Sequence, residues 1–296
     1  MSLSYGSSVS TYLKLTMLFA VLGGIFVALG FVIGGIEIAS MFLVMAVGIN
    51  FLMYFVSDKL VLASTHAHVV DENEAPRLHA IVTKLAAGAG IPKPKVAIVS
   101  STQPNAFATG RSKDHAVVAA TTGLLNIMDD NEVEAVLAHE MGHVVHKDML
   151  VATVAASIAT AISYIGNIIV LFLIMGGGSG RNRDSSNSAA ILGAAIVAPL
   201  AATFVQLAIS RNREYYADEA SAVLTRKPLS LVNALSKIDQ MIHRGAPLNT
   251  SPSTASLWIA NPFRGSGMLE LFSTHPSTEK RIRRLEDISR KMGYTY

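Results

Sequence analysis

The sequence contains no cysteine and few charged residues. None of its 296 residues is cysteine, and Asp, Glu, Lys and Arg together make up 15%. The absence of cysteine excludes disulfides, cysteine-bound metal and a thiol nucleophile. Any metal must therefore be bound by His and carboxylate side chains. The composition is also compatible with a reducing compartment.

The low charge accompanies high hydrophobicity. Hydrophobic residues make up 51% of the chain, and its mean hydropathy is +0.42. Such a chain is too apolar for an average soluble enzyme, which favours membrane-spanning helices. The net charge is only +3, and no long basic block interleaved with aromatics is present, so nucleic-acid binding is disfavoured. A Gly-x-x-x-x-Gly-Lys-Ser/Thr loop is also missing, and the sequence predicts no ATP site.

Two apolar runs without a charged residue lie near the N terminus, at residues 15–36 and 38–56. At 1.5 Å per residue each run can cross a hydrocarbon core of about 30 Å. Glu37 separates them, and together with the neighbouring Gly34 and Gly35 it predicts a tight hairpin. A cleaved signal peptide is disfavoured because the second run follows almost at once. The alternative is a buried helical hairpin in a soluble core.

Two further apolar runs, residues 149–175 and 189–209, flank a loop rich in Gly, Ser and Arg. These runs contain more Ser, Thr and Asn than the first pair. They are interpreted as two more spans, with a re-entrant or protein-buried hairpin as the alternative.

The predicted organisation therefore has four parts. A transmembrane hairpin occupies residues 1–57, and a second transmembrane or membrane-associated hairpin occupies residues 149–209. The segments 58–148 and 210–296 form two halves of one soluble domain. Because that side carries most of the Lys and Arg residues, the positive-inside tendency predicts that it faces the cytoplasm.

The motif His139-Glu140-x-x-His143 is the centre of the soluble part. A helix is predicted here because capping and acidic residues occupy positions 129–132 and apolar residues then recur at helical spacing: Val133, Val136, Leu137, Met141 and Val144. On a helix, His139 and His143 lie one turn apart on one face and can reach one cation at about 2.0–2.1 Å. Glu140 remains available as a general base for the attacking water.

The motif alone also occurs by chance in helices whose histidines are merely solvated or packed. His146 lies near the same face, but seven residues climb about 10 Å, too far for one ion to bind all three histidines. It is interpreted as a flanking residue. The scattered histidines are interpreted as surface or packing residues: His66, His68, His79 and His115.

A third metal ligand is expected after the last apolar run. Glu214 and Asp218 share a helix face there, among small residues that permit close packing. One carboxylate can bind metal while the other accepts the second ring N–H of a ligating histidine. Spacing alone does not decide between Glu214, Asp218 and Glu219. An ordinary acidic helix start balanced by Arg211 and Arg213 gives the same pattern.

The segment before the motif predicts a small sheet in an α+β domain. A helix is predicted at residues 73–89, and strands at residues 95–100, 105–110 and 115–121, the last two joined by a polar turn at residues 111–114.

These motifs together resemble peptidase family M48. The resemblance rests on the following stretches: His139-Glu140-x-x-His143, Ser210-Arg211-x-Arg213-Glu214-x-x-Ala217-Asp218, Asn105-Ala106-Phe107 and Thr274-His275-Pro276. The chain length and four-span layout are similar to the HtpX-type membrane proteases of the family, rather than to its larger seven-span CAAX prenyl proteases. The resemblance implies a gluzincin-like zinc metalloprotease domain, with a small sheet and the His-Glu-x-x-His helix.

The resemblance also implies roles for residues at the metal. One zinc ion per chain would be bound by His139, His143 and Glu214, with Asp218 as the hydrogen-bond partner of a ligand. His275 would help to stabilise the tetrahedral oxyanion. A histidine at the start of a helix, before Pro276, is nearly as good an interpretation of His275.

The implied substrate site is an edge strand. An extended polypeptide would add to Asn105, Ala106, Phe107 and Ala108 through main-chain hydrogen bonds.

The sequence thus predicts a zinc metalloendopeptidase anchored in the cell membrane, with its catalytic domain in the cytoplasm. Family resemblance adds quality control of misfolded or damaged membrane proteins. One alternative is dedicated processing of a specific membrane or lipidated substrate. Another is a non-catalytic membrane scaffold with a structural metal, against which the intact Glu140 argues, because a structural site needs no base.

Overall fold

The structure is a computed structural model that describes residues 8–160, 162, 211–243, 257, 259 and 276–294. Within these ranges the chain is helix-rich and contains one small sheet, which confirms the α+β class. His275 and residues 163–209, which carry most of the second predicted hairpin, lie outside the described residues.

Helix α1, Ser8–Ser64, consists of two helical arms that meet at two glycines. Gly35 has a φ of +69°, a left-handed conformation that glycine adopts without steric cost. Asn50 donates a hydrogen bond from Nδ2 to the carbonyl oxygen of Phe19 at 3.2 Å, which joins the two arms side by side. The predicted hairpin is therefore present, and its second arm continues beyond the predicted boundary at residue 57.

Both arms are long and apolar enough to cross a membrane, over Thr11–Ala28 and Gly34–Ser64. These are the two candidate spans found among the described residues. Many large apolar side chains on the arms are exposed, including Phe31, Ile36, Met41, Val44, Val47 and Phe51. An apolar surface of this kind is unfavourable in water and suits a hydrocarbon environment.

The four strands are β1 Ala67–Val70, β2 Lys95–Val99, β3 Ala106–Thr109 and β4 Val117–Thr121. Their order is β1-β2-β4-β3, with β2 and β4 parallel and the outer pairs antiparallel. Strands β2, β3 and β4 match the predicted ones. Strand β1 was not predicted, because it is short and directly follows a long helix. Strand β3 lies at an edge of the sheet, as the family resemblance implied.

The sheet is covered on both faces. Helix α2, Pro76–Ala89, and helix α4, Asp130–Val145, pack on one face, against residues such as Val96 and Val118. On the opposite face, Val99, Phe107 and Val117 of the strands pack with Val61 of α1 and with Ala156. Strands buried on both sides need continuous small or apolar residues, which explains their Val- and Ala-rich sequences.

The remaining helices are α3 Thr122–Ile127, α5 Met149–Thr160, α6 Arg211–Thr225, α7 Pro228–His243 and α8 Thr278–Lys291. Helix α5 begins the predicted third span, but its described part is enclosed by protein rather than exposed like α1. Val151 and Val154 pack against Leu18 of α1. Through α5, the end of α4 is attached directly to the membrane hairpin.

Candidate active site

Helix α4 begins with the predicted cap. The side chain of Asp129 accepts hydrogen bonds from the main-chain N–H groups of Asn131 and Glu132, both at 2.9 Å. Glu132 accepts one in return from the N–H of Asp129 at 3.0 Å, which completes a capping box. The middle of the helix is buried, so His139 and Glu140 point into the interior of the domain.

Three side chains converge as a possible metal site. Ligand atoms of His139, His143 and Glu214 lie within 4.8 Å of one another, the one such group that the described residues form. The separations are 3.6 Å between His139 Nε2 and Glu214 Oε2, and 3.6 Å between His143 Nε2 and Glu214 Oε1. Tetrahedral zinc with bonds of 2.0–2.2 Å spaces its ligands by roughly 3.4 Å. Two imidazoles and a carboxylate at this spacing fit zinc.

Glu214 reaches the histidines because α6 packs very closely on α4. A Cβ atom added to Gly142 would lie 3.0 Å from Ala217 Cα and 3.0 Å from Ala220 Cβ. The glycine and the two alanines thus permit a close contact between the helices. Ser221 adds a hydrogen bond from its hydroxyl to the carbonyl oxygen of Ala135 at 2.6 Å.

Asp218 is the partner of His139. Its Oδ1 lies 2.9 Å from His139 Nδ1, so Nε2 is left to face Glu214 and His143. Asp218 is fully buried. Burial raises its pKa, but the charge of Arg281 and the hydrogen bond from His139 outweigh this and hold the pKa of Asp218 below its usual value. A charged Asp218 fixes the orientation of the imidazole.

Arg281 on α8 holds Asp218 in place. Its guanidinium donates to Asp218 through Nε at 3.0 Å and through Nη2 at 2.7 Å. The side chain is only 1% exposed. This two-point contact connects the C-terminal helix to the metal site.

Asp148 is the partner of His143. Its Oδ1 lies 3.1 Å from His143 Nδ1. Burial lowers the pKa of His143, but Asp148, Glu214 and Glu140 outweigh it and raise that pKa to about 10. In the absence of an ion this imidazole holds a proton, which a metal must displace.

Glu140 lies between the metal group and the sheet. One carboxylate oxygen accepts a hydrogen bond from the N–H of Ala108 at 3.0 Å. Burial raises the pKa of Glu140, and its side chain is almost inaccessible. A carboxyl group with a raised pKa is suited to accept and then release a proton near neutral pH.

The main-chain groups of β3 point alternately towards β4 and away from it. The N–H of Thr121 donates a hydrogen bond to the carbonyl oxygen of Asn105 at 2.9 Å. Because main-chain groups alternate in direction along a strand, the N–H groups of Ala106 and Ala108 point away from β4. The side chain of Phe107 packs on the far face of the sheet. Ala108 is therefore the predicted substrate residue that reaches Glu140.

Asn105 contacts the chain itself. Its side chain accepts from the N–H of Ile259 at 3.1 Å and donates to the carbonyl oxygen of Leu257 at 3.4 Å. Arg281 donates to the carbonyl oxygen of Ile259 at 2.5 Å. In this structure Asn105 thus positions residues 257 and 259 beside the edge strand.

The structure also shows where the residues lie whose roles the sequence left undecided. Glu219 lies 4.0 Å from Arg284, away from the histidines. His146 packs with its ring 6.2 Å from that of Tyr216 and is not in the metal group. His79 is a packing residue, with Nε2 3.0 Å from a carbonyl oxygen of β1.

Sequence reasoning missed Asp148 and Arg281. Arg281 had a usable signal, because with Leu285 and Ile288 it follows the apolar spacing of α8, which places it on the buried face. Asp148 follows the end of α4 and had no comparable signal. Its contact depends on the turn at Lys147, whose φ is +60°.

Comparison with known proteins identifies the family of the chain. The model of peptidase family M48 matches residues 72–289. The chain is 46% identical over 288 residues to the protease HtpX homolog of Pyrococcus furiosus, covering 97% of this chain and 99% of that one. It is 47% identical over 275 residues to the Aquifex aeolicus homolog, covering 91% and 90%, and 42% identical over 282 residues to a Burkholderia mallei homolog, covering 94% and 97%.

The chain therefore belongs to peptidase family M48 and is a metalloprotease of the HtpX type. This confirms the resemblance drawn from the motifs. Among solved structures, a crystal structure of S. mikatae Ste24p aligns with a TM-score of 0.48 and 20% identity, over 94% of this chain and 66% of that one.

Proposed function

We propose that this metalloprotease is a membrane-anchored zinc endopeptidase that cleaves unfolded or damaged membrane proteins at the cytoplasmic face of the cell membrane. The observation that carries the proposal is the convergence of His139, His143 and Glu214 next to Glu140 and a sheet edge. Zinc dependence of the M48 family agrees with this set of donors.

His139, His143 and Glu214 are proposed to bind one zinc ion. When bound, zinc supplies Lewis-acid polarisation of the scissile carbonyl and lowers the pKa of a water molecule. Asp218 and Asp148 keep the two imidazoles oriented through their Nδ1 atoms.

Glu140 is proposed as the general base. Its carboxylate takes the proton of the attacking water and afterwards delivers a proton to the leaving amine. The raised pKa of Glu140 favours the first of these steps, because a more basic carboxylate takes a proton from water more readily. By family resemblance, His275 donates a hydrogen bond to the developing oxyanion.

The substrate is proposed to bind as an added strand. The N–H of Ala106 and the carbonyl groups of Ala106 and Ala108 point out of the sheet edge, where an extended polypeptide would pair with them, while the N–H of Ala108 bonds to Glu140. The hydrogen bond between Ala108 and Glu140 then places the base beside the paired segment. Only a locally unfolded segment can adopt this extended form, which favours unfolded substrates.

The proposed topology has four spans, with residues 149–209 as the second hairpin. Two observations support membrane anchoring: the exposed apolar surface of α1, and the packing of α5 against it immediately after the metal helix. Because the chain has no cysteine, single introduced cysteines report topology cleanly. In intact cells, a membrane-impermeant thiol reagent should label Glu37→Cys at the hairpin turn but not Asp287→Cys on α8. The reverse labelling pattern would refute the cytoplasmic orientation.

The role in quality control is tested by the number of unrelated substrates that the protein cleaves. The full-length protein in nanodiscs should cut several unrelated unfolded membrane proteins and leave their folded forms intact. Cleavage of one substrate at one site, with the others untouched, would favour dedicated processing. The absence of a phosphate-binding loop in the sequence agrees with substrates that need no ATP-driven unfolding by this chain.

A further inference from the structure

A cavity of about 210 Å³ lies outside the active site, where three parts of the protein meet. It is bordered by the two arms of α1, the turn between β3 and β4, and the turn between α4 and α5. Three cationic side chains line it, those of Arg111, Lys113 and Lys147, against one carboxylate, that of Asp114. The lining therefore has a net positive charge.

The cavity lies at the end of the α1 hairpin that is away from its turn. Tyr12 on the first arm and Tyr54 on the second also line it. Since the arms turn at Gly34 and Gly35, both tyrosines lie at the end away from the turn, on the side of the catalytic domain. Tyrosine is enriched at the boundary between hydrocarbon and water. The two rings therefore place the cavity at that boundary.

The cationic groups are available for an anion. Within the described part of the chain, none of the three forms an ion pair with a carboxylate. The guanidinium of Arg111 lies 5.6 Å from the centre of the Phe55 ring, which holds it against the second arm. Lys147 occupies the tight turn after α4 and is exposed.

We propose that this cavity binds the phosphate-bearing headgroup of an anionic phospholipid. The basic groups would contact the phosphate, and the acyl chains would continue along the exposed apolar surface of α1. A cavity of about 210 Å³ is large enough to admit a phosphate group and the glycerol beside it. Of the anions that could enter, a lipid is favoured by the position at the membrane boundary.

The cavity is connected to the catalytic apparatus by one short turn. Lys147 immediately precedes Asp148, whose carboxylate contacts His143. A headgroup held by Lys147 would stabilise this turn and with it the orientation of His143. Anionic lipid is therefore expected to increase peptidase activity, as well as to bind.

The inference rests on the proposed insertion of the hairpin into a membrane. Its test uses the full-length protein in nanodiscs of zwitterionic lipid, with or without about one-third phosphatidylglycerol. Native mass spectrometry counts retained anionic lipids, and this readout does not depend on activity. Failure of the protein to enter nanodiscs, or to cut any substrate in either lipid, would count against the proposed function rather than against this cavity.

The test variant is Arg111→Gln with Lys113→Gln. A basic residue near an anionic surface contributes about fivefold to binding, so the double variant should lose roughly 25-fold in affinity for phosphatidylglycerol, and the activation by that lipid should disappear. The control is Arg77→Gln with Lys93→Gln, which removes two exposed charges that do not line the cavity. The control should retain both the lipid and the activation.

Two further measurements keep the result interpretable. The single change Lys113→Gln lies at an exposed position and should lose about fivefold even if the double variant folds poorly. Inorganic phosphate in zwitterionic nanodiscs should not reproduce the activation. Three results would overturn the proposal. Phosphate alone could activate the enzyme fully, or the test and control variants could retain lipid equally. The variants could also change the preference for acidic substrate peptides while lipid binding stays unchanged.

Discussion

The main-chain N–H of Ala108 donates a hydrogen bond of 3.0 Å to the side chain of Glu140. The contact joins the edge strand β3 to the helix that carries both histidines. It therefore sets the position of the Glu140 carboxylate relative to β3, the strand along which the substrate is proposed to bind. Because the hydrogen bond favours the charged carboxylate, it also opposes part of the rise in the pKa of Glu140 that burial causes.

Ala108→Pro should remove this hydrogen bond and reduce kcat by roughly 10- to 100-fold. The pKa of Glu140 should rise further, so the acidic limb of the pH profile should move to higher pH. The matched control is Ala106→Pro, which removes the other outward N–H of β3 without a contact to Glu140. We expect it to raise KM more than it lowers kcat. Identical kinetic defects in the two variants would refute the distinction.

Gly142→Ala should push α4 and α6 apart, because its Cβ would lie 3.0 Å from atoms of Ala217 and Ala220. Overpacking of this kind typically destabilises by about 1–3 kcal/mol, and here it should also weaken zinc binding. The control is Gly88→Ala in α2, whose Cβ meets Leu224 at an ordinary 3.6 Å and should be tolerated or slightly stabilising. Thermal unfolding and zinc content measure both effects. Unchanged zinc content in Gly142→Ala would count against the close contact.

Zinc binding should release protons between about pH 6.5 and pH 10. In the ion-free protein the pKa of His143 is raised to about 10, so its charged form adds stability that is fully present below pH 6.5 and is lost as the pH rises towards 10. Zinc needs the neutral imidazole, and its affinity should therefore fall as the pH is lowered through this window.

Asp148→Asn removes a main cause of the raised pKa of His143. At pH 8 this variant should release fewer protons on zinc binding, although its zinc affinity should fall by about 10- to 100-fold, because the imidazole loses its orienting partner. Calorimetry in buffers of different ionisation enthalpy measures the protons released. Equal proton release by variant and wild type would refute the assignment.

Arg281→Met should be strongly destabilising. It leaves the buried carboxylate of Asp218 without its guanidinium partner, and the loss of one member of a buried pair typically costs about 3–5 kcal/mol. The matched change Arg290→Met affects an exposed pair with Asp287 and should cost under about 1 kcal/mol. Denaturant unfolding in detergent compares the two. Similar stabilities would show that Arg281 does not hold Asp218.

Much of this architecture could be predicted because local signals were strong. The capping residues and apolar period of α4, the charge-free runs of α1 and the short Val- and Ala-rich segments of the sheet each specify an element without knowledge of its neighbours. The likeness of the ligand motifs to the M48 family then singled out Glu214 and Asp218, which spacing alone had left open.

The rest depended on contacts between distant segments. Arg281 lies 63 positions after Asp218, and no periodicity in either helix states that the two meet. The side chain of Asn105 was expected at a substrate, but it holds residues more than 150 positions further along the chain. Such pairings arise from the packing of whole helices, which single-sequence patterns do not encode.

The central claim is tested most directly by the wild type beside Glu140→Gln, each purified at full length, with bound zinc quantified and cleavage of an unfolded membrane protein measured. Glutamine keeps the shape of the side chain but cannot take the proton of water. The account predicts one zinc ion per chain in both proteins and cleavage by the wild type alone. A variant that cuts at the wild-type rate, or a wild type that holds no zinc and still cuts, would contradict it.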